Sequence, residues 1–192
     1  MTDHHLHESG NDGVCKCRPS AAAQTLDEMD FERGIWTAAL YNDLDRLESA
    51  IRRGATNDRD NSGYTALHYA ARAGHLKACR LLLSAGADVN CVTNGGVTPL
   101  HRASMMGRVE IVEFLCEKGA LVDARDSDGQ NALHRAAQGA HMQTAKVLMS
   151  RMASLKNVRD NRGRFPIDLI GSKGDLDERV KKMLIPDSLE EE

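Results

Sequence analysis

Apolar residues return along this chain at two spacings, one short and one long. At the short spacing, Leu76, Cys79, Leu82 and Leu83 fall at i, i+3, i+6 and i+7, which puts them on one side of a helix. Val109, Val112, Leu115 and Cys116 repeat that stripe, as do Met142, Ala145, Leu148 and Met149. A shorter helix is predicted ahead of each stripe. Its inner face is Leu67 with the pair Ala70-Ala71, narrow enough for neighbouring helices to approach closely. Thr65 and Thr98 stand where a hydroxyl can accept from a backbone N–H that has no intrahelical partner. Pro99 and Pro166 sit just inside a helix start, where a missing N–H costs nothing. Gly74 and Gly107 end the short helix as residues at ease in the left-handed conformation. Gly86-Ala87 and Gly119-Ala120 close the long one, followed by a polar stretch with the Asp and Gly of a tight turn. The predicted unit is helix, turn, helix, hairpin.

The long spacing orders these units. TALH begins at Thr65, TPLH at Thr98 and NALH at Asn131, 33 residues apart each time, and FPID at Phe165 follows after 34. A fixed period in this range means stacked supersecondary units, each burying its apolar stripe against its neighbours because it cannot do so alone. The expected fold is an all-α solenoid.

The phrases G-x-T-A/P-L-H-x-A-A-x-x-G-H and L-L-x-x-G-A-D-V-N, read here from Asp60 to Asp175, resemble the ankyrin repeat. A degenerate copy precedes them at Gly34 to Ala55, with Ile35 and Trp36 where Leu-His would stand. The lead-in QTLDEMDFERGIWTAAL, Gln24 to Leu40, carries a narrower resemblance within that family. The resemblance implies about five stacked units joined by β-hairpin-like loops, near 31–59, 60–92, 93–125, 126–159 and 160–185, the first and last being atypical caps. Residues 1–23 are expected to be a disordered tail, 24–185 the repeat domain and 186–192 an acidic tail. Departures from the pattern are Ala140 for the helix-ending Gly and Met152 for the closing Gly. One residue is inserted between Ser154 and Asn161, and Asp168 replaces the repeated His. In the last unit the second-helix stripe is Leu176, Val180, Met183 and Leu184.

Composition narrows the function classes. A net charge of −3 lacks the basic excess of a nucleic-acid binder, and aromatics at 4% fit small-residue helix packing. Five irregularly spaced cysteines argue against a disulfide framework and for reduced thiols in the cytoplasm or nucleus. No apolar run approaches a membrane span, and no secretory signal opens the chain. His4, His5, His7, Cys15 and Cys17 are metal-ligating types, but their spacing is poor for zinc and no second cluster completes a site, so no metal or cofactor is predicted. No GxSxG, HExxH or Walker-type loop occurs, and no catalytic residue is assigned. His68, His101 and His134 recur once per unit, the mark of a structural role; the resemblance implies a hydrogen bond near the start of each one's own helix.

What remains is binding. The family's contact positions lie beside the hairpin Gly and before the helix-ending Gly, on the concave side. Carried over, they nominate Tyr64, Arg72, Val97, Met105, Met106, Gln130, Gln138 and Arg164 as partner contacts. Adjacent methionines mould to irregular surfaces, and an aromatic beside Arg72 has hot-spot composition. The expectation is a monomeric, non-catalytic scaffold or adaptor that binds a protein; the alternative is a stoichiometric inhibitor of an intracellular enzyme or transcription factor. LLSAGADVN, Leu82 to Asn90, is similar to the preferred site of an asparaginyl hydroxylase, making Asn90 a modification candidate.

Overall fold

The computed structural model describes residues 34–170 and 182–187. Its helices are α1 (Ile35–Leu40), α2 (Leu44–Arg52), α3 (Ala66–Ala73), α4 (Leu76–Ser84), α5 (Pro99–Met105), α6 (Val109–Glu117), α7 (Ala132–Gln138) and α8 (Met142–Arg151). Short 3-10 turns lie at Ala55–Asn57, Ala153–Asn157 and Pro166–Leu169. There is no strand among the described residues. The predicted N-terminal tail and its His and Cys residues lie outside them, as do Ser188 to Glu192.

The helices form two rows. In the inner row α1 packs on α3, α3 on α5, α5 on α7, and α7 on the turn Pro166–Leu169. In the outer row α2 packs on α4, α4 on α6, and α6 on α8. Small side chains make the inner row possible: Ala70, Ala71, Ala103, Ala136 and Ala137 are fully buried between neighbours. Ala38 and Ala39 serve the same purpose in the degenerate first unit. A larger residue at these positions would force short helices apart and lose dispersion contacts along the whole face.

In the outer row the centre of each predicted stripe is buried: Cys79 and Leu82, Val112 and Leu115, Ala145 and Leu148. Its margins are not. Leu76, Leu83, Val109, Cys116, Met142 and Met149 are half-buried, while Ile111 and Phe114, absent from the predicted stripe, are buried in α6. Phe114 earns its place by position: Arg80 of α4 lies over its ring at 4.9 Å, and Lys118 lies 5.7 Å from the ring centroid. In the last unit Leu184 is buried as expected, but Met183 is 43% exposed and does not belong to the stripe; Leu176 and Val180 lie outside the described residues.

Backbone conformation follows the repeat more faithfully than sequence does. A left-handed residue follows the short helix within two positions in four units, with φ 57° at Asn42, 90° at Gly74, 66° at Gly107 and 56° at Ala140. The Gly-to-Ala departure at Ala140 therefore leaves the turn in place and loads strain on it. Met152 behaves differently. Gly54, Gly86 and Gly119 close their long helices at φ 82–87°, whereas Met152 is extended at φ −153°. The chain leaves α8 along another path, and the turn Ala153–Asn157 takes up the inserted residue.

Candidate partner-binding face

The hairpins are built on one residue column: Asp60, Thr93, Asp126 and Asp160. Each aspartate folds its own hairpin through Oδ1, which accepts two backbone N–H groups. For Asp60 these are Ser62 and Tyr64 (2.9 and 2.8 Å), for Asp126 they are Asp128 and Gln130 (3.0 Å each), and for Asp160 they are Arg162 and Arg164 (2.9 Å each). The second oxygen holds a side chain on the groove face. Tyr69 Oη donates to Asp60 Oδ2 at 2.6 Å, Arg135 Nε to Asp126 Oδ2 at 2.9 Å, and Arg164 Nη2 to Asp160 Oδ2 at 2.7 Å. Burial alone would raise the carboxyl pKa of Asp160; hydrogen bonds from Arg164, Gln130 and Arg162 overcome it and hold the group below the usual range.

Neighbouring hairpins are joined by backbone. Asn94 N–H donates to Ser62 O (3.1 Å), Ser127 N–H to Gly95 O (2.9 Å) and Asn161 N–H to Asp128 O (2.9 Å). Gly63 is required there: at φ 82° a Cβ would stand 2.8 Å from the backbone nitrogen of Asn94.

The repeated histidines bridge both levels. In each, Nδ1 accepts from the N–H of its own cap residue, Thr65 to His68 (3.1 Å), Thr98 to His101 (3.2 Å) and Asn131 to His134 (3.3 Å). In His68 and His101 that bond leaves Nε2 carrying the proton, and it donates forward to the next unit, to Val97 O (2.9 Å) and Gln130 O (3.0 Å); His134 Nε2 lies 3.3 Å from Arg164 O, and its Nδ1 also lies 2.8 Å from Asn131 Oδ1. The intra-helix bond is the one the family resemblance implied. The inter-unit bond was not anticipated, since the repeat phrase read singly has no second carbonyl in it.

On this framework Met105 and Met106, at the end of α5, are 37% and 38% exposed, so neither is a core residue. Arg72 and Gln138 are exposed at the corresponding helix ends, and Val97 is half-buried. Tyr64 is half-buried, and the cation beside it is not Arg72 as expected. The guanidinium of Arg102 lies over its ring at 5.1 Å, and the ring meets His68 edge-on at 5.5 Å. Gln130 needs a larger correction. It is 4% exposed, donates through Nε2 to Asp160 Oδ2 (3.1 Å) and belongs to the seam between units rather than to a contact surface. Arg164 is half-buried, locked on Asp160, and presents only part of its guanidinium. A polar cavity of about 210 Å³ lies between Arg135, Gln138, Arg162 and Arg164, below the size of ordinary small-molecule sites.

Asn90 is half-buried at the base of the outer face. Its Oδ1 accepts from Leu121 N–H (2.8 Å) and its Nδ2 donates to Gly119 O (3.2 Å), both in the next unit. Asn57 does the same one unit earlier, toward Asp88 N–H and Gly86 O (3.1 Å each).

Reactive chemistry is muted on this framework. Burial pushes the Cys79 thiol up to about 12, and it raises Cys91 and Cys116 as well, keeping them protonated and poorly nucleophilic. No group of three or more metal-ligating side chains occurs among the described residues. No helix among them is long and apolar enough to cross a membrane.

Two rows of short helices, repeated caps and linked hairpins define an ankyrin-repeat solenoid, a protein-interaction architecture. The family description "Ankyrin repeats (3 copies)" matches residues 35–126, and "Ankyrin repeats (many copies)" matches 108–149. Together they cover more than half of the 192 residues, and the chain belongs to the ankyrin-repeat family. It is similar to the human protein named Ankyrin repeat domain-containing protein 39, 50% identical over 86 residues, 43% of this chain and 47% of the relative. Against the Bos taurus protein of that name it is 57% identical over 68 residues, 33% of this chain and 37% of the relative. Against Ankyrin repeat domain-containing protein 49 of Bos taurus it is 41% identical over 68 residues, 34% of this chain and 29% of the relative. The matched segments span less than half the length of each of these relatives.

Proposed function

We propose that this chain is a non-catalytic adaptor that seats a protein partner on the face formed by the hairpins and inner helices, centred on α5. One observation carries the reading: two adjacent methionines stand exposed at the end of the inner helix in the middle of the stack. Flexible thioether side chains left in water at that place cost stability and offer adaptable apolar contact in return. The test is the double substitution Met105→Glu with Met106→Glu in the full chain, followed by affinity capture from cells. The partner should be lost while the thermal midpoint stays within a degree or two, because neither side chain supports the core. Retained capture, or loss of the cooperative fold, overturns the reading.

A further inference from the structure

The hairpin column has one member without a carboxylate. Where the other hairpins have Arg-Asp (Arg59-Asp60, Arg125-Asp126, Arg159-Asp160), the hairpin ahead of α5 has Val92-Thr93. Thr93 keeps the local duty: its Oγ1 accepts from Val97 N–H at 3.1 Å, as Oδ1 does elsewhere. It has no second oxygen to hold the groove side chain. In the next unit that second oxygen grips Arg135; in this one Arg102 occupies the same position in α5, immediately after the repeated His. Among the described residues no carboxylate forms an ion pair with Arg102, and its guanidinium is held only by stacking on Tyr64.

The surroundings sharpen this. The charges acting on Arg102 include Arg72 of α3 and Arg135 of α7, the latter already neutralised by Asp126, while Tyr69 of α3 has its hydroxyl on Asp60. Burial foremost, then the charges of Arg72 and Arg135, push Arg102 below its ordinary value despite the opposing effect of Tyr64. A half-buried guanidinium without its counter-ion is a cost that an incoming anion relieves. Met105 and Met106 lie three and four residues further along, as the last residue of α5 and its cap. The same unit has an apolar residue at Val92, where the others have Arg, and further apolar side chains at Val97, Met105 and Met106, with Arg102 among them.

Building on the adaptor reading, we propose that Arg102 is the docking point for a single carboxylate of the partner, an Asp or Glu side chain beside an aliphatic residue that covers Met105 and Met106. The hairpins on either side carry Asp60 and Asp126, and Asp128 is exposed on the second of them, surroundings that suit one carboxylate and disfavour a polyanion such as a nucleic acid.

The test is selection of random linear peptides displayed on phage against the full chain, with the winners remade as synthetic peptides. The expected winners contain Asp or Glu next to Leu, Ile, Met or Val. They should lose about tenfold or more in affinity when that acid becomes its amide, or when the chain carries Thr93→Asp or Arg102→Gln. Thr93→Asp restores the hairpin residue used in the other units, so its thermal midpoint should hold or rise, separating lost binding from lost folding. Winners without an acid, or winners indifferent to Thr93→Asp and Arg102→Gln, overturn the carboxylate site. If such winners still fail on Met105→Glu with Met106→Glu, the adaptor reading survives alone. Winners indifferent to all these variants, or no enrichment at all, overturn both.

Discussion

His68 Nε2 donates to the carbonyl oxygen of Val97 at 2.9 Å, so a side chain at the start of α3 fastens the hairpin of the following unit. Its Nδ1 is already accepting from Thr65 N–H, and the ring works only as the neutral Nε2–H tautomer. Protonation would place a second proton on Nδ1 facing that N–H, inside a buried seam.

Stability should therefore fall in acid, and the sign can be worked through. Burial, opposed by the Val97 carbonyl, lowers His68 from 6.5 to about 4. Between those values the unfolded chain binds a proton that the native chain declines, so acid favours unfolding. The stabilisation is complete above 6.5 and is lost as pH falls toward 4, at about 1.4 kcal/mol per unit for this one group. Burial also lowers His101 and His134, which adds in the same direction. Thermal midpoints should hold level from about pH 7.5 to about pH 6.5 and decline from there to about pH 5, more gently in His68→Gln. A flat profile would contradict the buried neutral bridge.

Ser104 interrupts the alanine pairs. It occupies the position of Ala71 and Ala137, is fully buried, and its hydroxyl has no hydrogen-bond partner. Ser104→Ala should stabilise the chain by about 1 kcal/mol, by removing a desolvated hydroxyl and improving helix propensity. Chemical denaturation should show a higher midpoint at unchanged slope; a lower midpoint would mean the hydroxyl is satisfied.

Ala140 is left-handed at φ 56°, where its unit has lost the usual glycine. An L-residue is disfavoured there by roughly 1–2 kcal/mol, and glycine returns part of that gain as unfolded-state entropy. Ala140→Gly should raise stability by about 0.5–1 kcal/mol in the same denaturation assay. Destabilisation would show that the methyl packs productively.

Much of the fold was legible because the repeat writes local physics in a fixed order. Thr65, Pro99 and Gly74 announce helix limits by themselves, and the spacing of TALH, TPLH and NALH announces the stack. Seams between units were harder. Gln130 reads as a surface amide along the chain, yet its bond to Asp160 spans 30 residues and buries it. Phe114 was missed for a similar reason, since its cover is supplied by Arg80 from the previous outer helix. The candidate cation was readable in another direction. Comparing Asp60, Thr93, Asp126 and Asp160 down the column, rather than matching each phrase to a pattern, exposes the missing acid opposite Arg102.

Asn90 tests how much such seams hold. Its two side-chain bonds to Gly119 and Leu121 tie it to the following unit's loop, and Asn57 repeats the arrangement one unit earlier. Asn90→Ala removes one donor and one acceptor from partly exposed backbone groups, which water can replace in part. The expected loss is about 1–2 kcal/mol, with faster amide exchange at Leu121 and little change in α3. A neutral substitution with unaltered exchange would show that the hairpin seam does not depend on this residue. The same geometry bears on oxygen insertion at Asn90: a hydroxylase needs the side chain drawn out, so the two bonds to the next unit must open first. A chain destabilised locally at Leu121 should be the better substrate when mixed with purified asparaginyl hydroxylase. Intact-mass analysis without an added oxygen in either chain would remove Asn90 as a modification site.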